Sequence, residues 1–131
     1  AAEWRAEAPG VTVMLRAELD ALPLAEELEL PHASRTPGVA HKCGHDGHMA
    51  IVAAVGLALA QKRPARGRAV LLFQPAEETG MGARAVIADP RWHDLAVDHC
   101  YAVHNLPRHP FGEVVLADGT FAAGSGRGRA V

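Results

Sequence analysis

Apolar runs of strand length and helix length alternate along the chain, and polar groups gather where each strand-length run ends. After Pro9-Gly10, the β-branched and apolar run over residues 11–16 predicts a strand leaving a turn. It leads into Ala17-Glu18-Leu19-Asp20, which sets two carboxylates just past the strand. Pro23, Pro31 and Thr36-Pro37-Gly38 then predict a long loop with a single helical turn over residues 25–28, and long loops in compact domains are often functional. A helix is predicted over residues 47–61, with Asp46 placed to accept from the free amides of its first turn. Residues 49–59 leave it almost no polar face, so it should be buried on most sides, with Gly56 a point of close approach. The basic connector over residues 62–68 reads as a solvated loop, and the unbroken apolar run over residues 69–73 as a strand covered on both faces.

Gln74-Pro75-Ala76-Glu77-Glu78-Thr79-Gly80 stops that strand, and a helix over residues 82–88 is closed by Asp89-Pro90. A third apolar stretch, residues 100–103, runs directly into His104-Asn105-Leu106-Pro107. Residues 113–117 read as a further strand, Asp118-Gly119 as a turn and residues 124–129 as a glycine- and arginine-rich end, with no internal repeat. The alternation predicts an α/β fold with a central, mostly parallel sheet flanked by helices. In such open sheets ligands collect outside the carboxyl ends of the strands. Asp20, Glu77, Glu78 and His104 each fall just after a predicted strand and Cys43 and His45 just before a helix, so all six can converge on one crevice.

Composition narrows the function classes. With 131 residues, 49% hydrophobic and 21% charged, the chain has the make-up of one globular unit able to bury roughly two thirds of its unfolded surface. Thirteen Lys+Arg against 15 Asp+Glu supply no basic stripe, which argues against a nucleic-acid partner. The first residues lack the basic and apolar regions of a signal peptide, and the apolar run over residues 49–60 is too short to span a bilayer. A cytoplasmic protein without a membrane partner is the expectation, and there the two cysteines, Cys43 and Cys100, are expected to stay reduced.

The densest chemistry lies in His41-Lys42-Cys43-Gly44-His45-Asp46-Gly47-His48, where a thiol, three imidazoles and a carboxylate share eight residues. Thiolate and neutral imidazole are preferred ligands of zinc and neighbouring transition metals, although this spacing matches no zinc-finger pattern. One thiolate, two imidazoles and several carboxylates exceed the needs of one ion and suggest two close together. The adjacent Glu77 and Glu78 can then divide the work, one binding metal while the other takes a proton from water. His41 and His48 flank the site, with contact to substrate or water and a packing or surface role both open. His32, His93, His99 and His109 are expected to be solvated, Cys100 to be a buried small hydrophobe, and Trp4 and Trp92 to be packing anchors.

Four stretches, Arg16-Ala17-Glu18-Leu19-Asp20-Ala21-Leu22-Pro23, residues 41–48, Phe73-Gln74-Pro75-Ala76-Glu77-Glu78 and Val103-His104-Asn105-Leu106-Pro107, resemble in order and spacing the signatures of one metallo-amidohydrolase family. That family contains bacterial N-acyl-amino-acid hydrolases, hippurate hydrolases and plant auxin-conjugate hydrolases. The resemblance implies Cys43, His45, Glu78 and His104 as ligands of a two-metal centre, Glu77 as general base and acid, and Asp20 as a supporting carboxylate that orients a ligand imidazole. It implies two divalent ions, zinc or manganese first with cobalt or nickel open, and a small N-acyl amino acid as substrate. Glu18 stands where the family usually has aspartate, a longer side chain expected to be tolerated. The resemblance also implies an incomplete three-layer catalytic domain over residues 1–118 and, over residues 119–131, the start of a lid or dimerisation domain whose Phe121 helps seat it. The full-length relative is expected to be a homo-oligomer, and one further histidine ligand to lie beyond this chain. Two other readings stand beside the hydrolase: a truncated, inactive fragment with partial metal binding, and a thiol enzyme with Cys43 as nucleophile and His45 or His48 as base.

Overall fold

The computed structural model describes residues 1–116. Seven elements follow in the order β1 (Ala2–Arg5), β2 (Thr12–Glu18), α1 (His45–Gln61), β3 (Arg68–Gln74), α2 (Gly82–Ala88), α3 (Arg91–Leu95) and β4 (His99–Ala102). The strands form one sheet in the order β1-β3-β2-β4. β2 pairs in parallel with both β3 and β4, with Leu15 opposite Leu71 and Tyr101, while β1 runs antiparallel along β3. The α/β class and the mostly parallel sheet are thus as expected. The three parallel strands all end at the same edge, where Glu18, Gln74 and Ala102 are the last strand residues.

Alternation along the central strands turns neighbouring side chains to opposite faces. Val70 and Leu71 are both buried, which requires cover on each side of β3. On one face α1 lays Val52 on Ala17 and Leu71, with Trp4, Leu15, Met49, Val55 and Phe73 packed around them. Gly56 sits against Leu71 and Trp4, the close approach expected of it. On the other face Leu72, Val86, Trp92 and Leu95 line a common pocket between the sheet and α2–α3, while Trp4 is the packing anchor expected of it.

Several local expectations are corrected. β1 and α3 are additional elements without strong periodicity, since four and five residues are too few for a pattern to register. α1 begins at His45, its N-cap is Gly44 in the left-handed region (φ 95°), and Asp46 lies inside the first turn, where its carboxylate accepts from the Gly47 amide at 2.9 Å. The helix is covered along one stripe only, His45, His48, Val52 and Gly56, while Ile51 and Leu57 are exposed. No helical turn forms over residues 25–28, where the Glu26 carboxylate accepts from the Lys42 ammonium and the Leu28 amide. Arg68 is part of β3 and buried, its guanidinium donating to Glu3 at 3.1 Å, whereas the rest of the basic connector is largely exposed. Cys100 is exposed, since β4 is an edge strand with β2 as its one neighbour among the described residues. Residues 113–116 are not in a strand, and Ala117, the Asp118-Gly119 turn and the segment 119–131 with Phe121 lie outside the described residues.

Candidate metal centre

The parallel register delivers the polar groups to one place. Glu18 ends β2 and Asp20 stands two residues beyond it, Glu77 and Glu78 follow β3, and His104 follows β4. The long loop from Asp20 is pinned by an isolated bridge in which Leu22 and Ala40 exchange both backbone hydrogen bonds at 3.0 Å, bringing Cys43 and the start of α1 back to the same edge. The turn after β3 is held in an uncommon conformation, with Ala76 in the left-handed region (φ 53°). Two contacts fix it: the Asp20 carboxylate accepts from the Glu78 amide at 2.9 Å, and the Gly82 amide donates to the Ala76 carbonyl at 2.9 Å.

His45 is the centre of the cluster. It is buried, and its Nδ1–H donates to the Asp20 backbone carbonyl at 2.8 Å, which leaves the lone pair on Nε2. That nitrogen is buried without a hydrogen-bond partner, 3.7 Å from a Glu77 oxygen and 3.8 Å from a Glu78 oxygen. His104 repeats the arrangement: its Nδ1–H donates to the Asn105 carbonyl at 2.8 Å and its Nε2 lies 3.5 Å from the Cys43 sulfur. Ligating atoms of Cys43, His45 and His104 lie within 4.8 Å of one another, as do those of His45, Glu77 and Glu78. An unpartnered buried imidazole nitrogen facing a thiol, a second imidazole nitrogen and two carboxylates is a donor set that fits divalent metal.

Electrostatics point the same way. Burial, followed by the nearby Glu78, Glu77 and Glu18 carboxylates, pushes the Cys43 thiol up to about 11, so the acidic pocket disfavours a thiolate in the absence of added positive charge. Burial alone would raise the Asp20 carboxyl, yet the amides of Glu78 and Glu77 outweigh it and hold Asp20 below its ordinary value. Asp20 meets His45 through its main-chain carbonyl and, at 3.7 Å from the same Nδ1, through one carboxylate oxygen, while the other carboxylate oxygen organises the glutamate turn.

Three further residues belong to the site. Glu18 and His48 are both buried, with His48 Nδ1–H donating to a Glu18 oxygen at 2.9 Å, and ligating atoms of Glu18, His45 and His48 also fall within 4.8 Å of one another. Burial opposes ionisation of Glu18, but the His48 hydrogen bond and the Arg16 guanidinium bring its carboxyl below the usual range. Asn105 lies on the far side of His48. The legible signal was the three-residue spacing of His45 and His48, which places both on one helix face. His41 stays half-buried beside the site, while His32, His93, His99 and His109 are exposed as expected.

Known proteins share this chain's sequence and fold. Residues 14–121 match the model of peptidase family M20/M25/M40. The chain is 39% identical over 115 residues to N-acetyldiaminopimelate deacetylase of Listeria monocytogenes, covering 88% of this chain and 31% of that protein. It is 42% identical over 120 residues to IAA-amino acid hydrolase ILR1-like 6 of Arabidopsis thaliana (91% and 25%), and 39% identical over 123 residues to N-acetyl-L-cysteine deacetylase of Bacillus subtilis (93% and 29%). The crystal structure of the Bacillus subtilis YXEP protein, described as a dinuclear metal binding peptidase from the M20 family, matches with a TM-score of 0.74 and 37% identity over 82% of this chain and 30% of that one. The chain thus spans between a quarter and a third of the length of these relatives. With most of its length under one family model and its fold shared at more than a third identity, the chain belongs to peptidase family M20/M25/M40.

Proposed function

We propose that this chain carries the metal-binding part of a metal-dependent hydrolase that cleaves the amide bond of N-acyl amino acids. The observation that carries the reading is the buried, unpartnered His45 Nε2 facing Glu77 and Glu78, with the Cys43–His104 pair beside it. Cys43, His45, Glu78 and His104 would hold divalent ions, zinc or manganese first and cobalt or nickel as alternatives. Bound there, such ions supply positive charge that polarises a carbonyl oxygen and acidifies water. Glu77 is the more exposed of the glutamate pair and is free to take a proton from the attacking water and return it to the departing amine. Asp20 keeps both glutamates aimed by holding their turn, and its carbonyl sets the His45 tautomer. The substrate class rests on the names of the relatives, whose substrates join an acyl group to an amino acid. Residues 1–118 are read as part of the catalytic domain and residues 119–131 as the start of a second one.

A second reading is a chain that binds metal through these residues and does not turn over. A thiol enzyme is a poor fit, because a Cys43 thiol pushed up to about 11 is neutral at physiological pH. Metal content and hydrolysis of N-acetyl- and N-benzoyl-amino acids, with and without added zinc or manganese, separate the readings. Glu77→Gln is expected to retain metal and lose turnover by roughly a hundredfold or more, whereas Cys43→Ala loses metal as well. Equal metal loss in both would overturn this division of roles, and metal without turnover in the parent would establish the second reading.

A further inference from the structure

We propose that Asn105 is a positioning residue that sets the reach between Cys43 and His104, and that the buried Glu18–His48 pair holds it there. The inference rests on the reading of Cys43 and His104 as metal ligands. His104 is exposed and stands beyond a four-residue edge strand, a poor place from which to hold an imidazole within 3.5 Å of a thiol. Its neighbour supplies the missing rigidity.

The main-chain amide, the main-chain carbonyl and the carboxamide oxygen of Asn105 all have partners. The main-chain carbonyl accepts the His104 Nδ1–H at 2.8 Å, which directs the His104 lone pair to Nε2 and towards Cys43. His48 Nε2 faces the carboxamide Oδ1 at 2.7 Å, and the main-chain amide lies 3.1 Å from the same nitrogen. The other ring nitrogen of His48 donates to Glu18, whose second oxygen is taken by Arg16, itself bonded to Gln74 at 2.9 Å. The chain of contacts therefore ends in β2 and β3, the two central strands of the sheet. The His48 ring also meets the His104 ring edge-on, with centroids 4.7 Å apart.

Gly44 completes the clamp from the other side. It lies between Cys43 and His45 in the left-handed region, and a Cβ there would fall 2.8 Å from the carboxamide carbon and 2.9 Å from its nitrogen. The carboxamide thus occupies space that only glycine leaves open. The clamping residues are interleaved with the ligands themselves, Gly44 between Cys43 and His45, and Asn105 next to His104. A shift at the clamp must change the spacing of the ligands.

The test measures zinc affinity of the chain by chelator competition and the cobalt(II) spectrum, whose thiolate band reports Cys43. Both are recorded for the parent, Asn105→Ala, Gly44→Ala and the double variant, alongside the unfolding midpoint of each metal-free chain. Each single variant is expected to lose roughly 10- to 100-fold in affinity with an altered cobalt spectrum, and the double variant to lose little more than the worse single one, since both act on one contact. His48→Gln, which keeps a hydrogen-bonding group near Nε2, should recover much of what His48→Ala loses. If Gly44→Ala unfolds the chain, the Asn105 and His48 variants carry the same comparison. Lowered unfolding midpoints with affinity within about twofold of the parent and an unchanged spectrum would overturn the proposal, leaving Asn105 a structural residue. A parent that binds no zinc or cobalt overturns the metal-centre reading, and this proposal with it.

Discussion

At the scale of single residues, Cys43 shows how neighbours decide what a side chain can do. Its thiol is pushed from 9.0 up to about 11, first by burial and then by the carboxylates of Glu78, Glu77 and Glu18. These groups disfavour a thiolate and favour a cation, so the pocket rewards metal and penalises a free nucleophile. In a Cys100→Ser background, alkylation of metal-free Cys43 by iodoacetamide is therefore expected to keep accelerating past pH 9.0 towards 11, with added zinc protecting the thiol. A rate that levels off below pH 9.0 would show that the carboxylates exert no such hold. His45 makes the complementary point: one hydrogen bond to the Asp20 carbonyl selects its tautomer and leaves a buried nitrogen with nothing but the site to face.

At the scale of elements, the glutamate turn is decided by how α2 starts. A Cβ on Gly82 would collide with the Pro75 carbonyl, a backbone group that cannot swing aside, and would crowd the Gln74 side chain at 3.0 Å. Gly82→Ala is expected to cost about 1–3 kcal/mol, read as a lower denaturant midpoint, and to weaken zinc binding because Glu77 and Glu78 move with the turn. Unchanged stability and affinity would mean that α2 slides away without disturbing the turn. The comparison is instructive beside α1, where Gly56 meets only the ends of the Leu71 and Trp4 side chains and a neighbour can give way.

At the scale of the whole molecule, acid stability gathers the contributions of strands, turn and helix into one curve. Glu18 and Asp20 are both buried enough to be raised, yet hydrogen bonds from His48 and from the Glu78 and Glu77 amides leave their carboxyls below the ordinary 4.5 and 3.8. A carboxyl whose folded value is depressed contributes stability that is present above its unfolded value and is lost as pH falls through the folded one. The metal-free chain should hold this contribution above pH 4.5 and lose it progressively as pH falls below 3.8. Glu18→Gln should be less stable than the parent at neutral pH and converge with it in acid, as urea midpoints across the range will record. Parallel curves for the two chains would remove Glu18 from the account.

The sequence by itself determined which local pieces form and which residue types stand at their ends. Periodicity and punctuation over residues 11–16, 69–73 and 82–88 are local properties, and β2, β3 and α2 follow from them. Cys43, His45, Glu77, Glu78 and His104 were legible as candidate chemistry because they stand at predicted strand ends and a helix start, and their roles were implied by the resemblance of four stretches to one family. Only the tertiary structure decided what meets what. The parallel register, the Leu22–Ala40 bridge and the one-sided cover of α1 arise from segments distant in sequence, so no window of residues contains them. For the same reason the partners of His48 and Asn105, and the space that Gly44 leaves for a carboxamide, emerge only when β2, α1 and the segment after β4 share one edge of the sheet.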